Sequence, residues 1–292
     1  MTEPLINPRT KDQLEAYIRQ PSLHGVIIAG PFGSGKAEIA SWLAAKLLAI
    51  SSDKLSTYPY FMQIEPVDDK AISVDDVRTI NHFLSRKVPT KSPGINRVVI
   101  INAAEKMQTI AQNALLKNLE EPPINTVIIL ATADYSQLLT TVRSRCLKIQ
   151  LLKPDENQLK SHLAHLGIEP PAIERIMAIS GGLTGLAIDL ATNQASPMSQ
   201  AAETARELLS SDKYHRLLKV NDLHKNKDLF FNVVLVLKRM AGVALQSASL
   251  QQSQRWQNIL DLATQTETYL KHNANLKLTI LNLLNRLWAS LL

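Results

Sequence analysis

Val26-Ile27-Ile28-Ala29 runs directly into Gly30-Pro31-Phe32-Gly33-Ser34-Gly35-Lys36-Ala37, and this junction constrains the chain more than any other segment. A short apolar run that meets glycines reads as a buried strand ending in a tight loop. Beyond it, Ala40, Leu43, Ala44, Leu47 and Leu48 recur at helical spacing. Strand, glycine loop and helix in that order are the setting of a phosphate loop. The glycines let backbone N–H groups turn inward around phosphate oxygens, and the helix N-terminus adds partial positive charge. Lys36 would reach the β- and γ-phosphates. The departure is Ala37: Ser or Thr at this position ligates Mg²⁺ through its hydroxyl, and alanine has no oxygen.

Two further apolar runs, Arg97-Val98-Val99-Ile100-Ile101 and Thr126-Val127-Ile128-Ile129-Leu130-Ala131, lack polar alternation. Strands apolar on both faces belong in a parallel sheet covered by helices. Between them, Ile110 to Leu119 reads as a helix stopped by Pro122-Pro123. Strands alternating with helices predict an α/β domain, with a parallel sheet and flanking helices, over residues 1–152. Residues 153–195 read as short helices forming a small lid. The stripe Leu159, Leu163, Leu166 ends at Gly167 and Pro170-Pro171; the stripe Ile173, Ile176, Met177, Ile179 ends at Gly181-Gly182. The polar segment Thr192–Ser199, with Pro197, marks a boundary. Residues 196–292 read as a helical bundle, with stripes at Phe230, Val233, Val234, Leu237, Met240-Ala241 and at Leu276, Ile280, Leu283, Leu284, Leu287, Leu291.

A second phosphate-site strand normally ends in Asp for the Mg²⁺ shell, often followed by Glu to polarise water. Here Arg97–Ile101 ends in Asn102-Ala103, which keeps the shape of Asp without its charge and removes the base. Glu105 and Glu120-Glu121 lie a helical turn or more beyond the strand end, too far along to substitute. Two independent losses therefore point to a loop that does not run hydrolysis.

The net charge of +6 favours nucleic acid or acidic partners, although no run of Lys and Arg locates a binding face. One cysteine, Cys146, excludes an internal disulfide framework and a multi-cysteine zinc site. Its neighbour Arg145 could lower its pKa, but a small buried residue is the better reading. His162 and His165 have the spacing of a metal pair but no third ligand, so no metal site is expected. No apolar run is long enough to span a membrane. Met1-Thr2-Glu3-Pro4 lacks a signal-peptide pattern. The expected location is cytoplasmic.

Several segments match one family in order. Asn113-Ala114-Leu115-Leu116-Lys117-Asn118-Leu119-Glu120-Glu121-Pro122-Pro123 closely resembles the signature helix of AAA+ clamp-loader subunits. Leu130-Ala131-Thr132 resembles their sensor strand, with Thr132 at its end, and Ser144-Arg145-Cys146 resembles their Ser-Arg-Cys motif. The resemblance covers roughly residues 8–190, and the helical remainder fits a collar domain. Within the family, a degenerate phosphate loop with a retained Ser-Arg-Cys motif is most similar to the delta-prime class of bacterial DNA polymerase III. The four-cysteine zinc module that such subunits often carry is missing here.

The resemblance implies a stator-like subunit without ATPase activity of its own. Its partners would be clamp-loader ATPase subunits, a delta subunit, the sliding clamp and, through the complex, primed DNA. It would require no cofactor, with weak ATP, ADP or phosphate binding at most. Arg145 would be an arginine finger serving a neighbour's site. On the residues alone, Arg145 can equally form an ion pair at a helix end, and Arg143 is the competing guanidinium. Glu120-Glu121 look more like interface contacts than catalytic carboxylates. The alternatives are an ATP-hydrolysing motor subunit of the tau/gamma type and a non-replicative AAA+ binding module.

Overall fold

The computed structural model describes residues 3–66, 70–88, 94–193, 195–247, 250–272 and 274–289. Leu291, and Met1 and Thr2 of the N-terminal tetrapeptide, lie outside them. The chain divides into two compact units, Met1–Asp155 and Glu156–Leu292.

The first unit is built on five parallel strands: β1 (Gly25–Ala29), β2 (Phe61–Ile64), β3 (Arg97–Ile101), β4 (Thr126–Thr132) and β5 (Cys146–Gln150), in the spatial order β2-β3-β4-β1-β5. Around them lie α1 (Pro8–Arg19), α2 (Lys36–Leu47), α3 (Val74–Ser85), α4 (Thr109–Glu120) and the single turn α5 (Thr140–Arg143). Side chains alternate between strand faces, and the two cores follow that alternation. Val26, Ile28, Val98, Ile100, Val127 and Ile129 pack with Leu14, Tyr17 and Leu43 of α1 and α2. Ile27, Val99, Ile101, Ile128 and Leu130 pack with Val77, Ile80 and Leu115 of α3 and α4. Burial on both faces explains why these strands carry no polar alternation.

Local signals agree with the tertiary packing. Asn7 caps α1 and Pro8 opens it. Ser73 and Asp76 form a reciprocal capping box at the start of α3. The edge strand β5 is only partly covered, with Cys146 buried on one face, Ile149 on the other, and Lys148 and Gln150 exposed.

The second unit is helical throughout its regular structure: α6 (Glu156–His165), α7 (Pro170–Ser180), α8 (Thr184–Thr192), α9 (Pro197–Ser210), α10 (Lys213–Leu218), α11 (Val220–Lys225), α12 (Lys227–Ser247), α13 (Leu250–Lys271) and α14 (Leu276–Ala289). Pro170 opens α7, and Gly181 closes it with a positive φ of 58°, the conformation a glycine cap adopts without strain. The expected stripes are core: Phe230, Val233, Val234, Leu237 and Ala241 of α12 meet Ile280, Leu283, Leu284 and Leu287 of α14. Ile179, Leu183 and Leu186, from the segment assigned to a lid, join that same core. Ser196 links the segments on either side of residue 195: its hydroxyl donates to Asp189 at 2.6 Å and accepts from the Ser199 N–H at 3.1 Å.

Candidate functional site

The phosphate-loop residues, the second-strand residues and Thr132 all come together at the C-terminal ends of β1, β3 and β4. Gly30 is held there by its N–H, which donates to the Thr132 carbonyl at 3.1 Å. No side chain fits at Gly30, because a Cβ would stand 2.8 Å from Ser34 Oγ and 3.0 Å from Leu151 Cβ. Gly33 and Gly35 adopt φ of 85° and 84°, which turn the loop into α2. Phe32 stands out at the loop tip, 55% exposed. The Lys36 ammonium folds back and donates to the Pro31 carbonyl at 3.0 Å. Burial pulls its pKa below the usual lysine range, and Glu105 and Glu38 oppose that shift. The loop is therefore internally braced by its own lysine.

A cleft of about 280 Å³ opens beside it, lined by Lys36, Ala37, Asn102, Ala103, Lys106 and Glu65, among others. Asn102 is 8% exposed, and its Oδ1 has no hydrogen-bond partner among the described residues. Ala103 takes a left-handed conformation, φ 49° and ψ 48°, and presents only a methyl group. Mg²⁺ takes hard oxygen ligands, usually carboxylates together with substrate phosphates. Ala37 and Ala103 provide no side-chain oxygen and Asn102 only a neutral amide oxygen, so these three positions lack the hydroxyl and carboxylate ligands of a catalytic Mg²⁺, and Glu65 is a carboxylate on the cleft wall. Glu105 does not fill the gap: its Oε2 accepts from the Ala133 N–H at 3.0 Å, tying the end of β3 to the end of β4. Thr132 is fully buried, and its hydroxyl is engaged with the Asp134 backbone.

Arg145 lies elsewhere. It precedes β5, and the register places Gly25 opposite Cys146 and Ala29 opposite Gln150. At about 3.3 Å per residue, the strands separate Arg145 from its own phosphate loop by roughly 20 Å. The structure thus brings the loop, Asn102, Ala103 and Thr132 to one end of the sheet and sets Arg145 at the other. The Arg145 guanidinium pairs with Glu120 at 2.7 Å and donates to the Thr141 carbonyl at 2.9 Å and to Ser144 Oγ at 3.3 Å. Arg143 is held locally instead, bonded to Thr140 and stacked 5.1 Å from the Tyr135 ring.

Cys146 departs from the lowered-pKa option. It is 8% exposed, and burial pushes its thiol up to about 12. Its sulfur packs against Gly25, where a Cβ would lie 2.6 Å from it. On α4, Leu115 and Leu119 are buried, while Asn113, Lys117, Glu120 and the following Glu121 are exposed. His162 is half-buried, His165 bonds the Ser161 carbonyl, and no metal-binding cluster occurs among the described residues.

Gln112 was not singled out from the sequence. It is 3% exposed; its amide donates to the Met107 and Gln137 carbonyls and accepts from the Leu139 N–H at 2.7 Å. Its signal was present, since Gln112 lies on the apolar stripe with Leu115 and Leu119, where a polar residue must find buried partners.

The chain is 34% identical over 181 residues to the DNA polymerase III subunit delta' of Pseudomonas aeruginosa, covering 56% of this chain and 54% of that one. It is 31% identical over 198 residues to the DNA polymerase III subunit delta' of Escherichia coli, covering 64% and 58%. The matched part thus spans little more than half the length of these relatives. A DNA polymerase III gamma subunit-related protein of Thermotoga maritima has the same fold, with a TM-score of 0.59 at 23% identity over 96% of this chain and 100% of that one. The parallel sheet with flanking helices and the helical second unit are those of an α/β P-loop AAA+ protein. Residues 6–155, just over half of the chain, match the family described as DNA polymerase III, delta subunit, with the delta' subunits as its named relatives, and the chain belongs to that family.

Proposed function

We propose that this chain is a stator-like subunit of the bacterial sliding-clamp loader that hydrolyses no ATP itself and completes a neighbour's site with Arg145. The placement of Arg145 carries the reading. A guanidinium at the far end of the sheet from its own phosphate loop cannot reach a phosphate in that loop. It can face one held by an adjoining subunit. A guanidinium set against a γ-phosphate stabilises the charge that develops during transfer, an effect of about 10³–10⁵ in rate. The donor set around Ala37, Asn102 and Ala103 supports the other half of the reading, loss of hydrolysis in the chain's own cleft.

Partners follow from the same reading: ATPase subunits of the loader, a delta subunit, the sliding clamp, and primed DNA through the complex, in the cytoplasm. No cofactor is required. The two ammonium groups at the cleft, Lys36 and Lys106, would hold ATP, ADP or phosphate only weakly.

The purified chain is expected to show no ATP turnover above background; turnover abolished by Lys36→Ala overturns the reading. Arg145→Ala should leave the chain folded and lower the DNA-stimulated ATPase of the assembled loader at least tenfold. Unchanged activity in that assembly removes Arg145 from the role.

A further inference from the structure

We infer that Glu120 is a positioning residue for Arg145, holding the guanidinium ready for a neighbour's phosphate; this rests on the trans role proposed for Arg145. Glu120 is the last residue of α4, where a carboxylate opposes the helix dipole and helix stability alone disfavours it. What it does make is the 2.7 Å ion pair with Arg145. That pair works together with two other contacts, from Arg145 to the Thr141 carbonyl and the Ser144 hydroxyl. The three partners approach from α4 and from α5 and the residue after it, and they restrain a side chain that would otherwise sample many rotamers.

Arginine has five N–H donors. These contacts leave at least two for an external anion, and Arg145 remains 36% exposed. The ion pair therefore orders the group without consuming it. The segment that carries Arg145 is also fixed at its other end. Gln112, two turns before Glu120 on the same helix, holds the Gln137 carbonyl and the Leu139 N–H just ahead of α5. A single helix thus clamps α5 and Arg145 from both sides.

An arginine that is not pre-ordered must lose its rotamer freedom when it engages the phosphate, and that cost falls on the catalysed step. Removing Glu120 should therefore lower kcat and leave the KM for ATP in the neighbour unchanged. The test uses the assembled loader with this chain as wild type, Glu120→Gln, Glu120→Ala, Arg145→Ala and the double variants, reading DNA-stimulated ATP hydrolysis and thermal unfolding of the isolated chain. The expected result is a kcat reduced by roughly threefold to tenfold in Glu120→Ala. Glu120→Gln, which keeps an oxygen acceptor, should fall between it and wild type, with a melting temperature equal to or above wild type. In the Arg145→Ala background the Glu120 substitutions should change nothing further. An equal fall in that background, an unchanged kcat, or a change confined to KM overturns the positioning role and leaves the trans role of Arg145 standing. If Arg145→Ala itself leaves kcat unchanged, the trans role falls and the positioning role falls with it.

Discussion

Replacing Gln112 tests whether α4 and the turn that precedes Arg145 behave as one body. The side chain makes three hydrogen bonds from a site 3% exposed: to the Met107 carbonyl and the Gln137 carbonyl at 3.2 Å each, and from the Leu139 N–H at 2.7 Å. Gln112→Leu keeps the volume close and removes all three. A buried hydrogen bond contributes about 0.5–1.5 kcal/mol net, and a donor or acceptor left unpaired costs about 1–3 kcal/mol. The exposed Gln137 can rehydrate its carbonyl, whereas the bond to Met107 is buried. The sum is a destabilisation of about 2–4 kcal/mol, or roughly 5–15 °C in the unfolding midpoint for a unit of this size. Circular dichroism on heating and in urea reads the stability, and amide exchange at Leu139 reads the local loss. Gln112→Ala should cost more because it also leaves a cavity. A Gln112→Leu chain within about 0.5 kcal/mol of wild type, or with Leu139 still protected, refutes the reasoning, because the three bonds would then hold nothing together.

The contact between β1 and β5 makes a second case. Gly25→Ala puts a methyl carbon 2.6 Å from the Cys146 sulfur and 3.0 Å from Leu119, which should destabilise by about 1–3 kcal/mol. Adding Cys146→Ala should recover more than half of that, as measured by urea unfolding. The thiol itself should resist a disulfide reagent at pH 8 in the folded chain and react at the rate of unfolding, because burial pushes it up to about 12. The unfolded chain ionises this thiol near pH 9 while the folded chain keeps its proton. Stability should therefore fall as pH rises from 9 towards 12, by at most about 1.4 kcal/mol per pH unit from this group. The part of that slope missing in Cys146→Ala is the share that belongs to the thiol.

How much of this was legible varies by position. The central strands β1, β3 and β4 could be read directly, because cover on both faces demands unbroken apolar runs. The edge strands β2 and β5 could not: Phe61–Ile64 is only partly buried, and Cys146–Gln150 buries only Cys146 and Ile149. A half-covered strand has a weaker pattern that loops imitate. The Ser-Arg-Cys segment was visible as a motif, with two readings for Arg145, an ion pair and a trans finger. In the structure Arg145 makes the ion pair and still keeps N–H groups to offer. Glu120, read as an interface contact rather than a catalytic carboxylate, also has an ion-pair partner within the chain.

The identities at Ala37, Asn102 and Ala103 were determined by the sequence alone, because a missing hydroxyl or carboxylate is a matter of covalent chemistry that no fold can restore. So were the phosphate loop, whose glycines permit a conformation other residues resist, and the core stripes of the second unit. What faces what was decided by tertiary structure. Sheet register puts Arg145 at the opposite end from the loop, α4 brings Glu120 and Gln112 to the turn that carries it, and close packing against Gly25 makes Cys146 a buried filler whose thiol is pushed up rather than lowered. These are relations between residues far apart in the chain, and only the packed sheet and helix bring them within bonding distance.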